Sequence, residues 1–178
     1  SYPQSGSVFK PFIYASAFSR GYNPSSLIND APIIFEDENL ETFWRPENYS
    51  GKFYGLTTLR EALVQSINIV SIKLLREIGI KKSSETVDNF GFGIERLPQD
   101  LSLALGSGNF SPAEVARGFS VFANGGMISD IHYVSQIKDK NGDIIFDHSE
   151  KDVVNISSIS AFPWLNKIQL NASKPYFL

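Results

Sequence analysis

Near its start the chain sets a hydroxyl and an amine three residues apart, Ser7 and Lys10, in the stretch Ser5-Gly6-Ser7-Val8-Phe9-Lys10-Pro11-Phe12. On a helix, side chains at that spacing share one face, with Cβ atoms about 5–6 Å apart. A serine becomes a useful nucleophile when a neighbouring base takes its proton, and a lysine can be that base only if its pKa falls well below about 10.4. Burial against Phe9 and Phe12 would lower it. The free N–H groups and positive dipole end of a helix beginning here would also stabilise an anion forming at Ser7. The same residues equally fit a helix cap followed by a solvated lysine, and so short a pattern matches many unrelated chains.

Two further patterns bear on that choice. Ser135-Gln136-Ile137-Lys138 repeats the spacing, but in a segment that alternates like a strand, where residues three apart point to opposite faces. It serves as an internal control that cannot do the chemistry. Ser66-Ile67-Asn68 places a hydroxyl and a carboxamide two residues apart, 59 residues after Ser7. Within a helix the pair cannot share a face. At a turn both can enter one cleft, the serine relaying a proton and the amide holding a peptide carbonyl. Local bonding of these side chains to the backbone is the alternative. Ser107-Gly108-Asn109 repeats the Ser-x-Asn pattern, but its glycine context reads as a tight loop.

The elements that must position these groups follow from periodicity. Val8 to Ser19 has helical spacing, and Pro11 requires Ser7 to sit at the helix entrance, because its ring presses on the carbonyl four residues back. From Tyr22 to Gly55 regular pattern is lost, apart from a short strand expected at Ala31–Phe35. A connection this long is usually functional or a cover. Thr57 to Ile78 is helical, with Thr58 and Glu61 forming a capping box and a break expected at Gln65–Asn68. Ser84 to Phe90 reads as a short helix stopped by Gly91. Ser111-Pro112-Ala113-Glu114 starts another that ends at Asn124-Gly125-Gly126. Tyr133–Ile137 and Asp143–Phe146, joined through Asn141-Gly142, predict a hairpin with a two-residue turn.

Composition narrows the function classes. With 178 residues, 42% of them hydrophobic, the chain can bury the core of one domain. A net charge of −3 gives no footprint for nucleic acid. No run of about 18 apolar residues and no leader pattern is present, so a membrane anchor or export signal is expected only outside these residues. The absence of cysteine and the presence of only His132 and His148 argue against a metal site, and no cofactor is called for. Asn-x-Ser sequons at Asn48, Asn109, Asn155 and Asn171 are read as chance matches.

Longer runs carry a resemblance. Gly6–Phe12, Trp44-Arg45-Pro46-Glu47-Asn48-Tyr49, Thr58–Asn68, Ala104–Gly108 and Ser111–Gly118 through Ala123–Gly126 resemble, in order, the transpeptidase domain of the bacterial class A penicillin-binding proteins. The resemblance covers residues 1–147, and the tail 148–178 has none. It implies an α+β fold, mainly α in this chain. The helical portion of the penicillin-binding transpeptidase and serine β-lactamase-like fold would be present with one hairpin, and the central sheet largely missing.

By residue, the resemblance implies Ser7 as nucleophile, Lys10 as general base, Ser66 as proton relay and Asn68 as the residue that orients substrate. The implied partners are peptidoglycan stem peptides ending in D-Ala-D-Ala and β-lactam antibiotics, and the implied location is the periplasmic face of the bacterial inner membrane. One family feature is missing: no Lys-Thr-Gly or Lys-Ser-Gly triplet occurs. The chain is therefore expected to be a fragment of low activity, with exposed apolar faces and self-association. A serine β-lactamase or β-lactam sensor relative, or a non-enzymatic interaction module, are the alternatives.

Overall fold

The computed structural model describes residues 2–37 and 42–148; the tail from 149 on, with the sequons at Asn155 and Asn171, lies outside them. The chain divides after Ser111 into two compact units. In the first, a 3-10 turn over Gly6–Phe9 runs directly into helix α1, Lys10–Phe18, with proline in its first turn. This proline needs no N–H there, so a tight turn can feed the helix without losing a bond. Helices α2 (Leu59–Val64), α3 (Asn68–Ile78) and α4 (Ile80–Asp88) pack against α1.

Two apolar groupings hold this unit together. Phe9 and Phe12 from the start of α1 meet Phe90, Phe92 and Phe110, with ring centroids 4.8 to 5.6 Å apart and most pairs tilted or edge-on. All five are buried. Tilted packing brings the positive edge of one ring to the negative face of another and adds to the gain from burial. On the other side of α1, Tyr14 and Ala17 join Leu59, Val70, Leu74 and Ile78 in a second cluster. Lys10 is thus carried on a helix fixed on both flanks.

Strands are few and short. β1 (Leu27–Asp30) pairs antiparallel with β4 (Gly55–Thr58), and β2 (Phe35–Asp37) with β3 (Thr42–Trp44). The strand expected at Ala31–Phe35 is displaced to either side of Pro32, which has no N–H to give to a ladder. The short helix expected to begin at Ser84 starts four residues earlier, at Ile80, because Gly79 adopts φ +93 and turns the chain there.

The second unit holds α5 (Pro112–Ala123) and a hairpin of β5 (Gln136–Lys138) and β6 (Ile144–Asp147). α5 begins at the predicted cap and proline. The hairpin turn differs from the expected two-residue form. Gly142 N–H donates to Asp139 O and Asp139 N–H donates to Asp143 O, with Gly142 at φ +94, so three residues make the loop. Asp139 Oδ1 accepts the N–H groups of Asn141 and Asp143, and this side-chain capture selects the longer turn.

The expected break between α2 and α3 is present and has a defined form. Ile67 N–H donates to Ala62 O (2.8 Å) and Ser66 N–H to Leu63 O (3.1 Å), while Ile67 and Ala62 share the second core cluster. This is a Schellman ending, whose left-handed position is usually glycine. Here it is Ser66, at φ 54, the one non-glycine with positive φ among the described residues. A side chain in that conformation is strained. Ser66→Gly is therefore expected to raise the unfolding free energy by roughly 0.5–1 kcal/mol. Equilibrium urea denaturation checks this, and a less stable variant would show that the serine is there for the fold.

Candidate active site

The site forms where the start of α1 meets the α2–α3 turn. Lys10 is fully buried, and its ammonium donates to three acceptors in that turn: Ser66 O at 2.6 Å, Ser66 Oγ at 3.0 Å and Asn68 Oδ1 at 2.7 Å. Three N–H groups on one face of the nitrogen are thereby engaged. The solvated-lysine alternative is excluded. Burial pulls the Lys10 ammonium from its ordinary 10.5 down to about 8, since all three partners are neutral and water is displaced. A substantial fraction of neutral amine then exists just above neutral pH.

Ser7 lies in the 3-10 turn, one turn before Lys10, and is exposed. Among the described residues its Oγ has no hydrogen-bond partner, so no Ser7–Lys10 bond of the kind the spacing suggests is formed. The reason is that Lys10 is turned toward Ser66 and Asn68 and has no hydrogen left to give. Ser66 is exposed and Asn68 half-buried. The structure therefore joins three of the four candidate residues directly and places the fourth, Ser7, in the adjacent turn. In the repeated Ser-x-x-Lys, Ser135 and Lys138 are both exposed, in the hairpin region of the second unit.

Asn68 is held at both ends of its carboxamide. Oδ1 accepts from Lys10, and Nδ2 donates to Glu47 O at 2.9 Å, which leaves the second Nδ2 hydrogen available. The backbone that carries Ser7 is also braced. Gly6 N–H donates to Gly106 O at 2.9 Å and Ser5 N–H to Gly108 O at 3.2 Å, while Gln4 forms a β-bridge with Asn109.

A Cβ on Gly106 would lie 2.0 Å from Gly6 O, so only glycine allows this approach. The sequence reads this segment as a tight loop, and the structure makes it the brace of the turn that carries Ser7. The two glycines flanking Ser107 were the available signal, since paired glycines mark close backbone approach. The second Ser-x-Asn element is structural, with Ser107 Oγ bonded to Ser102 Oγ and Asn109 paired through its backbone.

Residues 3–163 match the family described as the penicillin binding protein transpeptidase domain. The chain belongs to that family. It is 44% identical over 143 residues to penicillin-binding protein 1A of Pseudomonas aeruginosa, covering 80% of this chain and 17% of that protein. To the Vibrio cholerae penicillin-binding protein 1A it is 42% identical over 150 residues, 84% of this chain and 18% of that one. The crystal structure of penicillin-binding protein 1A from Haemophilus influenzae superposes with a TM-score of 0.78 at 36% identity, over 83% of this chain and 22% of that chain.

At 20% identity and a TM-score of 0.70, the fold is shared with penicillin-binding protein A of Mycobacterium tuberculosis, solved as an imipenem acyl-enzyme complex, over 82% of this chain and 38% of that one. The chain thus spans less than a fifth of the length of these curated relatives. The expected α+β fold, mainly α here, agrees with these neighbours.

Holding Lys10 dry has a cost to the fold. Because its folded pKa is below the unfolded one, the unfolded chain binds the additional proton between about pH 8 and 10.5, and stability rises with pH through that window. Below pH 8 the full penalty applies, of order 3 kcal/mol. Lys10→Met is therefore expected to be more stable than the native chain at pH 7, by about 1–3 kcal/mol, and to lose that advantage as pH approaches 10. Chemical denaturation across pH measures it. A Lys10→Met chain that is destabilised equally at every pH would contradict the assignment.

Proposed function

We propose that the chain carries the nucleophilic half of a peptidoglycan D,D-transpeptidase site that works through an acyl-serine intermediate. The observation that supports this best is the buried Lys10 with its pKa lowered to about 8, one turn from an exposed serine. Neutral Lys10 accepts the Ser7 proton as Ser7 Oγ attacks the carbonyl of a D-Ala-D-Ala bond. The lysine then returns a proton to the leaving amine, and Ser66 Oγ, 3.0 Å from Nζ, is placed to carry it.

The free Asn68 Nδ2 hydrogen would hold a backbone carbonyl of the donor peptide. A second stem's amine then takes the acyl group. β-Lactams would enter as donor mimics and leave Ser7 acylated. These partners place the working site on the periplasmic side of the bacterial inner membrane; no helix among the described residues is long and apolar enough to cross one. Exposed Leu27, Leu56 and Val64 support self-association of the chain.

The rate should be low, because the 178 residues contain no Lys-Thr-Gly or Lys-Ser-Gly triplet. In the related transpeptidases that triplet lies on a strand that lines the cleft. Loss of one oxyanion donor typically costs about 10²–10³, and loss of a cation as well brings the deficit to roughly 10⁴. Intact-mass measurement with benzylpenicillin, followed by peptide mapping, is expected to show slow adduct formation on Ser7 alone. The expected rate is about 10⁴-fold below that of full-length Pseudomonas aeruginosa penicillin-binding protein 1A assayed alongside. Adduct on another residue, or an undiminished rate in Ser7→Ala, would contradict the nucleophile. Fast stoichiometric acylation of Ser7 would contradict the role given to the missing triplet.

A further inference from the structure

Helix α3 begins without a cap of its own. The residue before it is Ile67, which has no side-chain oxygen, yet the first N–H groups of α3 need acceptors. They are met from a loop 20 residues away, by Asn48. Its Oδ1 accepts from Asn68 N–H at 3.0 Å and Ile69 N–H at 3.1 Å, while its Nδ2 donates to both carboxylate oxygens of Asp30 and to Lys52 O, all at 2.9 Å. The carboxamide is saturated and buried. Asp30, also buried, decides which end of the amide faces α3, since its carboxylate can only accept; it further accepts from Tyr54 N–H.

We propose that Asn48, oriented by Asp30, is a positioning residue: it caps α3 from outside the helix and so holds Asn68 against Lys10. The loop does this twice, because the carbonyl of Glu47, the neighbour of Asn48, takes the Asn68 Nδ2. The consequence for chemistry rests on the assignment of Lys10 as the base. With Asn48 removed, two N–H groups at the start of α3 must find water, and Asn68 is released from one side. Water then reaches the Lys10 ammonium.

Burial is the cause of the Lys10 shift, so hydration raises its pKa toward the ordinary value. The charged groups of the helices packed on α1 do not compete in this. Lys73 donates to the carbonyls of Asn29 and Ala31, Arg76 lies over Phe35, Glu77 accepts from Tyr22, and Glu85 acts on Arg20. Arg60 and Glu61 on α2 and Lys81 and Lys82 on α4 are exposed, Asp88 is the last residue of α4, and burial is the one cause of the Lys10 shift.

The test is a pH titration of the full chain from pH 6 to 11 by NMR, read at the ¹³Cε of labelled lysines, with the Lys10 signal assigned by its loss in Lys10→Met. Native Lys10 is expected to titrate near 8. In Asn48→Ala it should move up by about one unit or more. Asp30→Asn keeps the shape of the clamp but removes its orienting charge, and should shift Lys10 in the same direction by less. It also serves if Asn48→Ala does not fold. A folded Asn48→Ala, or failing that a folded Asp30→Asn, with Lys10 at its native value would overturn the proposal. So would a native Lys10 titrating near 10.5. The titration needs no catalytic turnover, so absence of a β-lactam adduct on Ser7 would contradict the transpeptidase reading alone.

Discussion

One constraint organises the structure: an ammonium group has been taken out of water and given three neutral acceptors in place of a counter-ion. An isolated buried charge is expensive, and a lysine in that position lowers its pKa in response. Everything near Lys10 serves to make that position rigid. The phenylalanine cluster fixes the start of α1, the Tyr14 and Leu59 cluster fixes its other flank, and the α2–α3 turn supplies the acceptors. Without the core, the lysine would extend to solvent, regain its ordinary pKa and cease to be a base.

The turn itself shows what the constraint demands locally. A Schellman ending favours glycine at its left-handed position, and this chain has serine there. The strain is retained because that residue presents both its carbonyl and its hydroxyl to Lys10. Conflict between local preference and observed residue is expected at functional sites, where chemistry overrides the best local choice. Gly106 is the opposite case. There a missing side chain lets two backbones approach closely enough to brace the turn that carries Ser7.

Much of this was legible in the sequence because it rests on local rules. Pro11 placed Ser7 at the helix entrance, and Gln65–Asn68 marked the break that brings Ser66 and Asn68 to one side. The Thr58 cap is present, with Thr58 Oγ1 accepting from Glu61 N–H. What was not legible depends on contacts between distant segments. No local pattern shows that Lys10 reaches across to Asn68 rather than back to Ser7, or that Gly106 touches Gly6. The hairpin turn departs from the Asn-Gly expectation because the Asp139 carboxylate captures two backbone N–H groups and lengthens the loop. The cap on α3 left only an indirect trace: an apolar residue, Ile67, where a capping side chain belongs.

The central claim is that neutral Lys10 is the base for Ser7, and the pH–rate profile of Ser7 acylation by benzylpenicillin tests it most directly. If burial sets the base, the rate should rise with pH and reach half its plateau near pH 8, where Lys10 loses its proton. A midpoint near 10.5, or a rate indifferent to pH across that range, would contradict the account.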